Sequence, residues 1–258
     1  MNNTYIATEI RDFMGVITFN NPQMLNSMGE NMLHELAEQI KSYEQDDSIR
    51  VIVLKGIEQS FVAGLDVKEL AANFGSAKAK IQNMQNDFLV LYHAQKPLIA
   101  SVSGFALGVG CEIAMCCDIV LATDNARFGL PELSIGLLPC FGGTSMLARR
   151  IGKAKTTDMI LTGRALSAEE AEQCGIVSRI VTDAAMTEEY TKVARRIAAL
   201  PQNAIVAAKR LISETTTNLN LFLEYQLALS RLESPEFKQA LLSFAQQKSS
   251  TKEKEQKN

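Results

Sequence analysis

Residues 96–143, KPLIASVSGFALGVGCEIAMCCDIVLATDNARFGLPELSIGLLPCFGG, constrain the fold of this chain more than any other stretch. The segment opens with a short apolar run, Leu98 to Val102, that reads as a strand. A turn of small residues, Gly104 to Gly110, leads into an apolar helical stretch with one carboxylate, Glu112, near its start. A second strand-like run, Ile119 to Ala122, precedes a loop that carries Glu132 directly after Pro131. Gly136, Pro139 and the pair Gly142-Gly143 close the segment.

A glycine-rich turn entering a helix presents free backbone N–H groups and the positive end of the helix dipole. Such a turn suits an oxygen anion, either a bound phosphate or an enolate formed during reaction. Two glutamates in mostly apolar surroundings suit a general acid and base. Each glutamate also has a structural explanation. An acidic residue in a first helical turn is favourable on dipole grounds alone, and Glu after Pro is common at helix starts. For each glutamate taken singly, spacing favours that second explanation.

The remaining chain supplies strands and helices in alternation. Residues 4–20 read as two strands with a turn near Asp12 to Gly15, ended by Asn20-Asn21-Pro22. Ser27-Met28-Gly29-Glu30 has capping-box spacing, and Met32, Leu33, Leu36, Ile40 and Tyr43 follow at helical period. Val51 to Leu54 is continuously apolar, as in a strand buried on both faces. Phe61-Val62-Ala63-Gly64-Leu65-Asp66 ends a strand and enters a helix with Asp66 in its first turn, a second place where N–H groups could face a ligand. A helix over 77–94 follows.

After the central segment the pattern predicts helices over 145–151 and 155–162, with Gly152 and Gly163 as their stops. Ser167-Ala168-Glu169-Glu170 is a second capping box, and residues 176–181 read as a strand. From 187 onward the pattern is helical: 187–200, 202–214, 217–232, and 235 to about 247 with Ser234 as N-cap and Pro235 at its start. The charged end, 248–258, reads as disordered. The expectation is an α/β core over 1–186, a helical region over 187–247 and a tail.

Composition narrows function mainly by exclusion. A net charge of −3 with no basic patch outside the tail argues against a general nucleic-acid binder. Five cysteines, mostly in apolar runs and without a CxxC, suit buried thiols in a reducing compartment. No metal site is expected. MNNTYIATEIRD has neither a basic nor an apolar leader region, and no run of about 18 apolar residues occurs, so neither a signal peptide nor a membrane span is expected. With two histidines, His34 and His93, neither near a candidate nucleophile, a Ser-His or Cys-His hydrolase has little support.

Over about residues 5–245 the chain resembles the crotonase superfamily, the enoyl-CoA hydratase/isomerase family. The likeness is carried by KPLIASVSGFALGVGCEIAMCCDIVLATDNARFGLPELSIGLLP, by GKAKTTDMILTGRALSAEEAEQCGIVSRIV, and by ITFNNPQMLNSM and FVAGLDVKEL, in that family's order. The resemblance implies a spiral of ββα units with a C-terminal helical region, assembled as a homotrimer or a hexamer built from trimers. It implies a cytoplasmic enzyme acting on acyl-CoA thioesters in fatty acid metabolism. No cofactor is needed beyond the coenzyme A of the substrate, and neither nucleic acid nor membrane is a partner.

By the same resemblance, the backbone N–H groups of Leu65 and Val109 form an oxyanion hole for the thioester carbonyl. Glu112 and Glu132, with the family's twenty-residue separation, become the catalytic pair. Ala63, Leu65, Asp66, Val67, Lys68, Gly108, Pro131, Pro139 and Phe141 are implied as residues around substrate and coenzyme A. The implied reaction is hydration of a trans-2-enoyl-CoA. A Δ3,Δ2-enoyl-CoA isomerase or another crotonase-type reaction, and an acyl-CoA-binding or RNA-associated member with little catalysis, are the alternatives. The chain also departs from the family pattern. Val109 stands in the middle of the glycine trio, where it serves if its φ is negative and fits poorly if φ is positive. Cys140 and Phe141 replace small residues after Pro139, which predicts a reshaped acyl pocket. Ser145 stands where Gln is frequent, and Glu236-Phe237 replaces an acidic-Gly step.

Overall fold

The structure is a computed structural model and describes residues 5–57, 59–72 and 76–215. Ile6–Arg11 (β1) and Met14–Phe19 (β2) pair antiparallel around a turn in which Asp12 has φ 51°. Helix Glu30–Gln45 (α1) leads to strands Val51–Lys55 (β3) and Ser60–Val62 (β4), then helices Val67–Ala72 (α2) and Ala77–Tyr92 (α3). Strands Leu98–Val102 (β5) and Phe105–Leu107 (β6) precede helix Val109–Cys116 (α4). Strands Ile119–Ala122 (β7) and Arg127–Gly129 (β8) precede a 3-10 turn, Glu132–Ile135, and helix Gly143–Thr162 (α5). Leu166–Ser167 (β9), Ala168–Gln173 (α6), Arg179–Ile180 (β10), Asp183–Ala198 (α7) and Gln202–Thr215 (α8) follow.

Two sheets result. One has the order β1-β2-β3-β5-β7-β10 and is parallel from β2 onward; the other has the order β4-β6-β8-β9. Each of the pairs β3–β4, β5–β6 and β7–β8 gives its first strand to the larger sheet and its second to the smaller one before the chain turns helical. This is the expected ββα spiral.

Alternation along the larger sheet sorts its side chains onto two buried faces. Val51, Val53, Ile99 and Leu121 pack with Met186, Tyr190, Val193 and Ala194 of α7. Ile52, Leu54, Leu98, Ala100, Val120 and Ala122 face the main core with α1, α3 and α4. The uninterrupted apolar run at 51–54 is therefore buried on both sides, as its composition predicts. Burying each such side chain is worth roughly 1.5–3 kcal/mol relative to exposure. The described residues divide into two units, one running through Ala199 and one beginning at Leu200. The predicted helices over 217–232 and 235–247, the tail, and Glu236-Phe237 lie outside the described residues.

Local differences from the sequence expectations have physical reasons. The capping box at Ser27 does not form: Gly29 is the N-cap of α1, while Ser27 Oγ donates to Met24 O at 2.7 Å. The preceding residues are committed elsewhere, because Met28 pairs with Leu65, and Leu25 and Asn26 hold positive φ. An ideal Cβ on Gly29 would sit 2.1 Å from Glu69 Oε2, so a larger residue there would require the Glu69 side chain to shift. The second capping box forms as expected, with Ser167 and Glu170 bonding reciprocally.

The small-residue turn at 104–110 contains a strand, β6, pinned by pairing with β8. The helices at 145–151 and 155–162 both lie within α5, which is kinked at Gly152 as the expected stop there requires, since its φ 78° and ψ 163° are not helical. The strand at 176–181 contracts to β10, and α7 starts at Asp183, four residues before 187, with Thr182 as its N-cap. His93 is the C-cap of α3, and His34 lies exposed with its ring 3.2 Å from Asp87.

Candidate active site

α4 is built around the glycines that flank its first residue. Gly108 precedes the helix at φ 52° and ψ −125°, a conformation that L side chains rarely adopt. An ideal Cβ on Gly108 would meet Glu132 Oε1 at 2.8 Å and the Cα of Gly64 at 3.5 Å. One on Gly110 would stand 2.1 Å from the carbonyl oxygen of Val62. Both positions therefore require glycine, while Val109 between them does not. Val109 is helical, absent from the positive-φ residues, and wholly buried in the core. As the first residue of α4, its N–H lies ahead of the intrahelical ladder.

The 61–66 loop meets this turn through Gly64, which has φ 119°. Met28 clasps the loop from both sides: its N–H donates to Gly64 O at 2.7 Å, and its carbonyl accepts from Asp66 N–H at 2.9 Å. The Leu65 N–H between them donates to no protein acceptor among the described residues. Asp66 caps α2, its Oδ1 accepting from Glu69 N–H at 3.0 Å. Glu69 pairs with Lys80 of α3 at 2.7 Å. Val67 and Lys68 lie exposed on α2, and no hydrogen bond joins them to the two glutamates.

Glu112, in the first turn of α4, is 1% exposed. Its Oε1 accepts two backbone hydrogen bonds, from Phe141 N–H at 2.9 Å and Gly143 N–H at 2.8 Å. Gly142, at φ 92°, lets the chain turn so that both N–H groups converge. Gly143 must also lack a side chain: an ideal Cβ would be 2.7 Å from Glu112 Oε1 and 3.0 Å from Pro139 Cβ. Burial raises the Glu112 carboxyl to about 7, against the downward pull of the two N–H groups and with a further push from the Glu132 charge. The other end of α4 is held by Arg150, whose guanidinium donates to Met115 O.

Glu132 starts the 3-10 turn behind Pro131. It is 7% exposed, and its Oε2 is buried without a hydrogen-bond partner among the described residues. Burial raises its carboxyl above the ordinary range. The Cys140 thiol is raised in turn, by burial first and then by the charges of Glu112 and Glu132, so it sits beside both carboxyls as a neutral group. Its Sγ donates to Leu138 O at 3.0 Å. No group of three His, Cys, Asp or Glu side chains able to share a metal ion occurs among the described residues.

Gly64, Gly108 and Glu132 thus lie together, as do Glu112, Phe141, Gly143 and Pro139, and the Glu132 charge reaches Glu112. This arrangement offers an ionisable base on a fixed backbone clamp, a second carboxyl with an unpartnered oxygen, and two N–H groups from different loops.

Sequence reasoning placed Phe141 around the substrate rather than as a backbone donor to Glu112, and it missed Gly143 and Asn26 as contributors. The side chain of Phe141 does not stand free in the site: it is 4% exposed and stacks on Phe88 of α3. Gly143 was legible only as half of a Gly-Gly pair. Asn26, wholly buried at φ 57°, accepts from Asn21 N–H at 2.7 Å and donates to Ser60 O at 2.9 Å and Phe61 O at 3.1 Å. It ties the 21–28 loop to the strand that ends at Gly64, and its signal was an Asn inside ITFNNPQMLNSM.

A sequence profile described as Enoyl-CoA hydratase/isomerase matches residues 9–254. A probable enoyl-CoA hydratase of Rhizobium meliloti (strain 1021) is 37% identical, with 93% of this chain and 94% of the relative aligned. A short-chain-enoyl-CoA hydratase of Clostridium acetobutylicum is 36% identical over 89% of this chain and 86% of that protein. Among solved structures, an enoyl-CoA hydratase from Bacillus anthracis superposes with a TM-score of 0.89 at 28% identity, covering 94% of this chain and 96% of that one. With the ββα spiral and the two buried glutamates, these likenesses establish that the chain belongs to the enoyl-CoA hydratase/isomerase family.

Proposed function

We propose that this protein is an enoyl-CoA hydratase that adds water reversibly to the double bond of a trans-2-enoyl-CoA, giving a 3-hydroxyacyl-CoA. The observation that carries this reading is the unequal pair of buried carboxyls. Glu112 is clamped by two backbone N–H groups, and Glu132 lies over Gly108 with one oxygen unpartnered. The relatives named as hydratases support it over most of the chain.

In this reading the substrate carbonyl oxygen lies between the N–H groups of Leu65 and Val109. Glu112, ionised, takes a proton from water as its oxygen bonds to Cβ. The π electrons move onto the thioester as an enolate, and the two N–H groups stabilise the charge without reorganising. Loss of one such donor typically costs about 3 kcal/mol in the barrier. Glu132, its proton held more tightly than usual by burial, delivers that proton to Cα. The proton taken and the proton given balance, so the net change is addition of one water. In dehydration the roles reverse.

Asp66 and α2 shape the coenzyme A side of the site, with Ala63, Val67 and exposed Lys68 next to it. Pro131 and Pro139 line the acyl side, where Phe141 contributes its backbone while its ring lies in the core. The acyl group is short or medium in length. Exposed Ile135, Leu138 and Leu161 suit contacts between copies in a trimer or a hexamer of trimers. Five free cysteines suit a reducing, cytoplasmic setting.

The test is hydration of a crotonyl-type thioester by wild type, Glu112→Gln and Glu132→Gln proteins. Each substitution should lower kcat by about 100-fold or more. Variants as fast as wild type would overturn the assignment. A one-base Δ3,Δ2-isomerase would use Glu132 alone and tolerate Glu112→Gln while turning over 3-enoyl thioesters. The double clamp on Glu112 argues for two working carboxyls.

A further inference from the structure

We infer that Phe88 of α3 is a positioning residue for Glu112, acting through its stack on Phe141 and through the Phe141 N–H that holds the carboxylate. The inference rests on the role proposed for Glu112 and extends it to a residue that touches neither carboxyl.

The Phe88 and Phe141 ring centroids are 5.2 Å apart with planes inclined 28°. The rings are 3% and 4% exposed, so water does not share the contact. The ring of Phe141 and its amide leave the same Cα, so the stack that fixes the ring also fixes where the N–H points. That N–H reaches Glu112 Oε1 at 2.9 Å. The loop on either side has little of its own to hold this geometry. Pro139 and Cys140 are only half-buried, and Gly142, at φ 92°, is exposed and carries no side chain. The aromatic pair is therefore the anchor of the loop on the α3 side.

α3 is itself fixed from both neighbours. Lys80 pairs with Glu69 of α2 at 2.7 Å, Asn83 Nδ2 donates to Glu30 at 2.8 Å, and Asp87 meets His34 of α1 at 3.2 Å. The helix thus connects the element that follows the Leu65 loop with the clamp on Glu112. The titratable groups that face Glu112 are Glu132 from the 3-10 turn, Cys111 on its own helix and Cys140 from the loop. None lies on α3, so a change at Phe88 alters no charge near the carboxyl. It can reach Glu112 only through packing and the amide.

The experiment compares wild type with Phe88→Leu, Phe88→Met, Phe141→Leu and the Phe88→Leu/Phe141→Leu double variant. Val193→Ala, in the separate α7 core, serves as a control for loss of packing. Two readouts are taken: the pH profile of kcat, and the pH titration of the protonated-carboxyl infrared band that Glu112→Gln removes. A hydrogen bond to the charged form lowers a carboxyl's proton affinity, so a loosened Phe141 N–H raises it. The Phe88 variants should move both the acid limb and the infrared titration upward by about half to one pH unit, with kcat below the limb down about 3- to 10-fold. KM should change less than about two-fold, and the double variant should move no further than Phe141→Leu alone, because both act on one contact.

Val193→Ala should lose stability with neither limb nor band displaced. Phe88 variants that behave like Val193→Ala overturn the inference. Phe88→Met, the milder change, carries the test where Phe88→Leu fails to fold. A wild type without hydratase activity would defeat the proposed function, while the infrared titration would still decide whether Phe88 governs Glu112.

Discussion

Replacing Glu112 with Gln should make the protein gain stability relative to wild type as pH rises, because the native carboxyl is buried as well as bonded. Its folded value is about 7 against an ordinary 4.5, with burial the largest cause. Between those two pH values the folded chain keeps a proton that the unfolded chain has released. The unfolded state then binds fewer protons, so stability falls with rising pH. The contribution is complete below the unfolded value and is lost as pH passes through the folded one. One pH unit of this imbalance is worth about 1.4 kcal/mol, so moving from near pH 5 to near pH 8 costs wild type about 2–3 kcal/mol through this group. Gln keeps an Oε1 that can accept from Phe141 and Gly143, and its Nε2 adds a cost that does not vary with pH. The difference between the proteins at the two pH values therefore isolates the carboxyl from everything else the substitution does. Urea unfolding of both proteins at each pH, at one protein concentration so that association does not enter, measures it. A wild type-to-variant difference that stays constant within about 0.5 kcal/mol would refute the claim that burial dominates over the N–H clamp.

Three further substitutions probe other supports of the site. Gly143→Ala would place a Cβ 2.7 Å from Glu112 Oε1, so the clamp must open; steady-state kinetics should show kcat down about 10-fold or more, with the fold retained by circular dichroism. Asn26→Ala removes the partner of Asn21 N–H and of the Ser60 and Phe61 carbonyls and puts Ala at φ 57°; urea unfolding should record a loss of about 2–4 kcal/mol, with kcat reduced because the strand entering Gly64 is released. Lys96→Met removes the ammonium that donates to Tyr43 O at 2.6 Å and Asp46 O at 2.7 Å near the end of α1; stability should fall by about 1–3 kcal/mol while kcat and KM stay at wild-type values, separating a structural charge from the two carboxyls proposed to be catalytic.

The sequence made some of this architecture legible because local physics suffices for it. The apolar run at 51–54 could only be a strand buried twice, and each of its alternating side chains now belongs to one of two cores. Glycines at 108 and 110 announced a turn into a helix, and Ser167 with Glu170 announced a helix start. What the sequence left open depends on partners distant along the chain. Ser27 and Glu30 have the spacing of a capping box, yet Leu65 claims Met28 through a bridge thirty-seven residues away, and the local motif gives way to the tertiary one. Val109 shows the reverse. A β-branched residue in a glycine trio looked like damage to an anion site, and whether it was depended on one dihedral angle. Gly108 takes the positive φ and Gly110 takes the close approach of Val62, so the middle position needs only an N–H. Phe141 is the sharpest case. Its bulk suggested an obstruction among small residues, but its ring turns into the core against Phe88 and its amide turns toward Glu112. A side chain's identity says how much space it fills; only the fold says on which side of the backbone that space lies. At this position the difference separates a residue that narrows a pocket from one that aims a carboxylate.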